Sequence, residues 1–288
     1  MRWTTGDGSN IEDRRGSTGG GGRGMIPLGI GGFIVVALLS MATGVDFFSI
    51  LGGGGGSPQP TSVGTTGTVN ASPTEEKTAL MVDAVARDVQ ETWSQKLGGY
   101  QSTRVVLFRD AIDSACGYAG AVSGPFYCPG DRKVYLDLSF FDELARRFSA
   151  PGDFAQAYVL AHEFGHHVQK ISGTEPRVRA MQEANPSNVN ALSVRLELQA
   201  DCYAGVWGHE AAKPGRAARG AVELDPGDLE EALRAAAAIG DDRLQKLGNG
   251  RVMPEKFTHG SSEQRMSWFK RGFDTGDPRQ CDTFSATR

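Results

Sequence analysis

The segment LAHEFGHHVQK, residues 160–170, concentrates side chains that can bind a metal ion and move a proton. His162 and His166 are four positions apart, so on a helix their imidazoles project from one face. At this spacing both can reach one Zn²⁺ at about 2.0–2.1 Å. Glu163 follows the first histidine and is placed to take a proton from water at the metal. Because three of the five histidines of the chain lie here, we predict a metal site on a helix.

A catalytic zinc needs a third protein ligand and an open fourth position. The downstream segment ELQAD contains Glu197 and Asp201, which share one face of a predicted helix. One carboxylate can bind the metal while the other accepts a hydrogen bond from a ligand histidine. The alternative is that both point to solvent. Carboxylates on the buried face of this largely apolar helix would need a metal or a partner, so we favour one zinc ion per chain.

The elements that would position these residues predict an α+β domain. RVVLF (104–108) and KVYLDLSF (133–140) have the composition and alternation of strands. The chain after residue 140 is almost entirely of helical character. A few early strands followed by many helices indicate a mostly helical fold with a small N-terminal sheet.

The N-terminal quarter of the chain predicts a membrane-anchored arrangement. Residues 1–24 are polar and glycine-rich, which is typical of a disordered leader. Residues 25–45 form an uncharged run that can cross a bilayer, so 25–51 is the predicted transmembrane anchor; a cleavable signal peptide is the alternative. Residues 52–72 have the Gly, Ser, Thr and Pro content of a flexible linker. The folded domain is then 73–288.

Charge sets the predicted orientation of this arrangement. Arg14, Arg15 and Arg23 precede the apolar run, and no Lys or Arg follows it until Lys77. The positive-inside rule therefore places the N-terminus in the cytoplasm and the domain outside the cell membrane. A formal net charge of −4 argues against a general nucleic-acid binder, which would carry a basic face.

Four cysteines follow in the predicted extracytoplasmic domain, where oxidation is favoured. Cys116 and Cys128 flank one loop and are predicted to pair. Cys202 and Cys281 would then form a second disulfide, tying the C-terminal tail to the metal-bearing helix. A thiolate ligand at Cys202 and reduced, buried cysteines are the alternatives.

The motifs together resemble a known family. HEFGH followed by Glu-x-x-x-Asp resembles the gluzincin metallopeptidases. More narrowly, the chain resembles the neutral zinc metallopeptidase family of membrane-anchored bacterial proteins. The segments that carry this resemblance are YLDLSFFDEL, GDFAQAYVLAHEFGHHVQ, RLELQADCYAGVW, FTHGSSEQR and the leader MRW…IEDRRG. The resemblance covers nearly the whole chain and implies a zincin-like domain. It implies that His162, His166 and Glu197 are ligands, Glu163 the general base and Asp201 a hydrogen-bond partner behind the ligands.

Further positions carry expectations of their own. His259 in FTHGSSEQR resembles the Thr-His-Pro segment of membrane-linked gluzincins and would stabilise an oxyanion; a capping or surface histidine is the alternative. Arg265 either pairs with an active-site carboxylate or lies on the surface.

In zincin folds an edge strand pairs with the substrate, and KVYLDLSF is the candidate, with Tyr135 and Asp137 as its contact residues. His167, about 100° round the helix from His166, is not expected to bind the metal.

These observations favour a single-span zinc metalloendopeptidase that acts on a protein or peptide. A zinc-binding scaffold without turnover is the alternative from another class, and Glu163, which a scaffold would not need, argues against it. A zinc amidase acting on cell-wall links is a third hypothesis. The sequence does not define the natural substrate or the oligomeric state.

Overall fold

The computed structural model of the protein describes residues 1–16, 69–120 and 124–285. The predicted membrane anchor (25–51) lies outside these residues, as do the end of the predicted leader and most of the predicted linker. Within the described ranges, no helix is both long and apolar enough to cross a membrane.

The described part of the chain is mostly helical with a small sheet, which confirms the α+β prediction. Its strands are β1 (Ile11–Asp13), β2 (Val105–Phe108), β3 (Ala111–Ser114), β4 (Gly117–Gly120), β5 (Phe126–Cys128) and β6 (Lys133–Asp137). Its α-helices are α1 (Pro73–Lys96), α2 (Ser139–Arg146), α3 (Asp153–Ile171), α4 (Thr174–Ala184), α5 (Val189–Ala211), α6 (Asp228–Ala238), α7 (Asp241–Asn249) and α8 (Ser262–Thr275). Ser72 caps α1 by accepting from the Glu75 amide, and Ser261 and Gln264 form a capping box on α8.

The main sheet has four strands in the order β1-β2-β6-β5. β1, β2 and β6 run parallel, and β5 runs antiparallel to β6. The prediction that 133–140 provides an edge strand is therefore wrong, because β6 pairs on both sides. Four of the five residues of β6 are buried, as expected for a central strand. β5 is an edge strand of this sheet, while β3 and β4 form a separate hairpin.

Tyr135 and Asp137 accordingly hold the sheet together and do not face a substrate. Tyr135 is 2% exposed, its ring stacks on Phe126 with centroids 4.9 Å apart, and its hydroxyl donates to Asp131. The carboxylate of Asp137 accepts from the backbone amides of Asp110 and Ser139, each at 2.9 Å. Both residues belong to the interior of the sheet, where a substrate cannot reach their backbone.

Residues 1–16 are part of the folded domain, so the prediction of a disordered leader is wrong for them. β1 extends the sheet by pairing Ile11 with Val105. The carboxylate of Asp83 on α1 accepts from the amides of Gly8 and Asn10. Polar bonds help to hold this segment. The prediction of disorder is based on its low apolar content, which does not take such bonds into account. Residues 1–16 therefore belong to the same folded unit as the residues after 73.

Arg15 is the main ionic link between this segment and α1. Its guanidinium, 3% exposed, binds Asp13 and also reaches Glu75 and Glu76 at 3.3 and 3.0 Å. We expect Arg15→Ala to lower the free energy of unfolding by roughly 1–3 kcal/mol, because charged hydrogen bonds are lost and carboxylates stay unpaired. Urea unfolding of the full-length protein measures this difference.

Arg14→Ala is the matched control for that prediction. Among the described residues the Arg14 side chain bonds Glu12, two positions earlier, and makes no bond to α1. Its removal should change the free energy of unfolding by about 0.5 kcal/mol or less. Equal losses for the two variants would mean that Arg15 does not fasten the segment to the domain.

Candidate metal centre

The metal centre lies where α3 and α5 cross. Gly165, within the HEFGH motif, faces Ala200 at this crossing. A Cβ on Gly165 would lie 2.9 Å from both the Cα and the backbone oxygen of Ala200. Only glycine therefore permits this close approach. The crossing brings the histidines of α3 opposite Glu197 and Asp201, one turn apart on α5.

The structure brings together His162, His166 and Glu197, the three predicted ligands. Their ligand atoms all lie within 4.8 Å of one another. The Nε2 of His162 is 3.1 Å from Glu197 Oε2, and the Nε2 of His166 is 3.4 Å from Oε1. Two ligands on one tetrahedral Zn²⁺ with bonds near 2.0–2.2 Å are about 3.3–3.6 Å apart, close to these distances. The donor set and its spacing thus fit zinc.

The Nδ1 atoms of both histidines are hydrogen-bonded on the side away from Glu197, which leaves Nε2 for a metal. His162 Nδ1 donates to Asp201 Oδ1 at 2.8 Å. His166 Nδ1 donates to Gln169 Oε1 at 2.9 Å. Gln169 must accept this bond, because its amide nitrogen donates to the Leu196 carbonyl and the Gln199 side chain. Such partners fix the tautomer and orientation of ligand histidines.

Asp201 is the centre of a buried polar network behind the ligands. It is fully buried and accepts from the Tyr158 hydroxyl at 2.6 Å. Arg265, 2% exposed, donates to both of its oxygens, from Nε at 2.8 Å and from an Nη at 2.9 Å. The structure therefore places Arg265 against an active-site carboxylate and not on the surface. A Cβ on Gly272 would lie 1.9 Å from the Cys202 carbonyl, so glycine allows α8 to bring Arg265 this close.

The electrostatics of the site favour a cation. Burial by itself would lower the pKa of His162, but the Asp201 carboxylate offsets this and raises it to about 10. Burial would raise the pKa of Glu197, yet the charge of His166 holds it well below its usual value. Three carboxylates, of Glu163, Glu197 and Asp201, thus surround two imidazoles. The carboxylates favour positive charge at the imidazoles, and a metal ion bound at the Nε2 atoms would supply that charge in place of the protons.

Glu163 lies beside the ligands without joining them. Its side chain lines the cavity and the residue is 7% exposed. Burial raises its pKa, which brings the carboxylate closer to the basicity that a general base needs. Among the described residues no group donates a hydrogen bond to this carboxylate. It is therefore available to accept a proton from a molecule in the cavity.

His259 lies on the loop before α8 and reaches the same cavity. Its Nδ1 donates to Asp241 Oδ1 at 3.3 Å and lies 3.0 Å from the Thr258 hydroxyl. Asp241 Oδ2 also accepts from the amides of Thr258, His259 and Gly260, so one carboxylate fixes the loop. Burial would lower the pKa of His259, but the nearby Glu197 and Asp241 carboxylates raise it.

A cavity of about 640 Å³ opens over the metal centre. β5 and the turn before it form one wall, with Gly124, Pro125, Phe126 and Tyr127. Apolar residues of the other walls include Phe140, Val159, Ile239 and Leu244. The other lining residues are largely polar or charged, and apolar walls around convergent polar groups are typical of a binding or active site.

The structure confirms both predicted disulfides, Cys116–Cys128 and Cys202–Cys281. The first joins the β3–β4 hairpin to β5, and the second ties the C-terminal tail to α5. Because Cys202 is bonded to Cys281, it is not a thiolate ligand of the metal, and the described residues include no free cysteine.

Sequence reasoning missed three residues of the site. Gln169 and Tyr158 lie three residues after His166 and four before His162 on α3, and helical spacing places them on the same face as the ligands. The pattern therefore contained a signal for both. Asp241 has no such signal, because it is 18 residues from His259 and only the fold joins them. The other histidines lie outside the ligand set. His167 contacts β5, and His209 donates to the Phe273 carbonyl.

Two histidines and a glutamate from two crossed helices, with a further glutamate beside them, are the arrangement expected of a zinc-peptidase-type protein. The family model described as "Putative neutral zinc metallopeptidase" matches residues 1–284. The chain belongs to this family, as its motifs predict.

Relatives cover the chain at high identity. "Uncharacterized protein YpfJ" of Escherichia coli (strain K12) is 49% identical in an alignment of 296 positions that covers 99% of this chain and 99% of that one. "Uncharacterized protein Rv2575" of Mycobacterium tuberculosis (strain ATCC 25618 / H37Rv) is 46% identical over 209 residues, 71% of this chain and 70% of that one. No solved structure matches the chain.

Proposed function

We propose that the protein is a zinc metalloendopeptidase with a zincin-like domain, in which His162, His166 and Glu197 hold one Zn²⁺. The observation that carries the proposal is their convergence, with both Nε2 atoms 3.1–3.4 Å from one carboxylate and both Nδ1 atoms hydrogen-bonded behind. When bound, zinc supplies Lewis acidity, which lowers the pKa of water and polarises a peptide carbonyl.

The remaining chemistry falls to side chains of the cavity. Glu163 takes the proton of the attacking water and passes it to the leaving amine. His259, held by Asp241, donates to the oxygen on which negative charge develops in the tetrahedral transition state. The raised pKa of His259 favours its protonated form, in which Nε2 can donate while Nδ1 is bonded to Asp241.

β5 is the proposed binding edge for an extended peptide. It pairs with β6 through one edge, and the other edge has no strand partner among the described residues. The strand also lines the cavity over the ligands. A substrate can add to such an edge through backbone hydrogen bonds, which provide affinity with little sequence preference. This places the peptide beside Glu163 and His259.

We also propose that the domain works on the extracytoplasmic side of a membrane, with residues 25–51 as its anchor. The two disulfides support this side, since cytosolic thiols stay reduced. Because β1 pairs with β2, residues 1–16 would lie on the same side as the domain. A single crossing at 25–51 does not agree with that pairing, so we keep the apolar segment as an attachment to the membrane but not the single-pass topology with a cytoplasmic N-terminus.

Zinc content and cleavage of an unfolded protein by the full-length chain test the proposed function together. We expect about one zinc per chain and cleavage that a chelator abolishes and added Zn²⁺ restores. Glu197→Ala should lose most of the metal and the activity, because two imidazoles remain as ligands. Glu210→Ala, on the same helix but bonded to Lys96 and Lys213, should retain both.

The outcomes separate this function from its alternatives. Zinc that stays bound without cleavage of any peptide would favour a scaffold, and cleavage restricted to cell-wall amide links would favour an amidase. A wild-type protein that binds no zinc would contradict the metal site itself.

A further inference from the structure

His167 follows a proposed zinc ligand in the sequence but faces away from the metal, toward β5. It is 1% exposed, and its ring is surrounded by two tyrosine rings, of Tyr100 and Tyr127, at centroid distances of 5.6 and 5.4 Å. A buried imidazole with both nitrogens bonded holds its neighbours in fixed positions. Neither metal binding nor proton transfer, as proposed above, uses this residue.

The partners of the two His167 nitrogens show which nitrogen donates and which accepts a hydrogen bond. Its Nε2 is 2.5 Å from the Gln101 carbonyl oxygen, which can only accept, so Nε2 carries the hydrogen. In the neutral ring Nδ1 is then an acceptor, and the Tyr127 hydroxyl, 3.0 Å away, donates to it. Tyr127 is the middle residue of β5. The bond therefore links the helix that carries His162 and His166 directly to the proposed binding edge.

β5 is a short strand and needs such support. It has three residues, and its ladder runs to β6 alone within the described chain. Cys128 is tied to Cys116 of the separate β3–β4 hairpin, whereas Tyr127 is tied to α3. Of these two ties only the Tyr127 bond fixes β5 relative to the metal ligands.

We propose that His167 is a positioning residue, which through the Tyr127 hydroxyl sets the position of β5 relative to the metal so that an extended peptide is aligned for cleavage. This inference rests on the proposed peptidase function. It predicts that loss of the bond impairs the binding of long peptides, while cleavage of a substrate too short to follow β5 is unaffected.

Tyr127→Phe in the full-length protein tests this proposal, with an octapeptide and a blocked dipeptide as the two substrates. The substitution keeps the ring and removes the donor. We expect the KM for the octapeptide to rise about tenfold with little change in kcat, because the lost bond affects ground state and transition state alike. The kcat/KM for the dipeptide and the zinc content should not change. Tyr118→Phe, at a tyrosine of β4 that is 58% exposed, is the matched control.

Two substitutions at His167 separate its two bonds. His167→Asn keeps an acceptor near the position of Nδ1 and should preserve most octapeptide binding. His167→Gln keeps a donor near Nε2 for the Gln101 carbonyl but removes the acceptor, so it should behave like Tyr127→Phe. If the Asn variant is the more impaired of the two, the Tyr127 bond is not the one that matters.

Hydrogen exchange gives a readout independent of activity. Amides of residues 126–128 should exchange faster in Tyr127→Phe than in the wild type, while those of β2 keep their rates. Unchanged exchange and unchanged KM, or equal losses on both substrates, would overturn the inference while the peptidase function stands. A wild-type protein that cleaves neither substrate would instead contradict the proposed function and the inference with it.

Discussion

Glu163→Gln leaves zinc bound and removes most of the cleavage: we expect kcat to fall on the order of 10³-fold at an unchanged zinc content. The substitution is nearly isosteric and Glu163 is not among the three convergent ligands, so the metal site keeps its donors. An amide cannot accept the proton of the attacking water, and general base catalysis contributes about 10²–10⁴-fold in enzymes. Zinc analysis and steady-state kinetics on the same preparation measure both quantities.

Glu175→Gln provides the control, since Glu175 lines the same cavity. Its carboxylate is bound by Lys170 and Arg179 and is not part of the group of candidate ligands. We expect nearly wild-type kcat and zinc content for this variant. If Glu163→Gln retains the wild-type rate, another group is the base. The HEFGH motif would then account for metal binding only.

The metal ligands could be predicted because their positions follow from local periodicity. Four-residue spacing puts His162 and His166 on one face whatever the rest of the fold does, and the same holds for Glu197 and Asp201. The contact between the histidine pair and the carboxylate pair depends on the tertiary structure. The sequence indicates it only indirectly, because burying unpaired carboxylates is costly. Gly165 provides the close crossing, and its role becomes apparent only when Ala200 is seen opposite it.

The errors concern strands, which depend on partners distant in sequence. β6 has the alternation of a half-buried strand, yet it is central because β2 pairs with one of its edges and β5 with the other. Its pairing cannot be read from KVYLDLSF itself. β5 is only three residues long and gives too short a pattern to recognise. The proposed binding edge therefore became visible only in the structure.

Asp201→Asn is expected to have the largest effect on stability. The substitution leaves the Arg265 guanidinium, 2% exposed, without its counter-charge, and places an amide donor among groups that themselves donate. Breaking one side of a buried ion pair costs about 3–5 kcal/mol in free energy of unfolding. Since His162 also loses a charged acceptor for its Nδ1, zinc affinity should fall about 10–100-fold. Urea unfolding of metal-free protein and zinc titration separate the two effects.

Asp88→Asn distinguishes a metal-specific effect from a general loss of stability. Asp88 is equally buried, and it too binds an arginine through both oxygens, Arg216 at 2.8 and 2.9 Å, but on α1, outside the metal centre. It should lose stability to a similar extent while zinc affinity stays at the wild-type value. Adding Arg265→Met to Asp201→Asn should restore part of the stability, because no buried charge then remains unpaired, but not the zinc affinity. Recovery of both would mean that Asp201 acts on the metal only through Arg265, and that its bond to His162 contributes little.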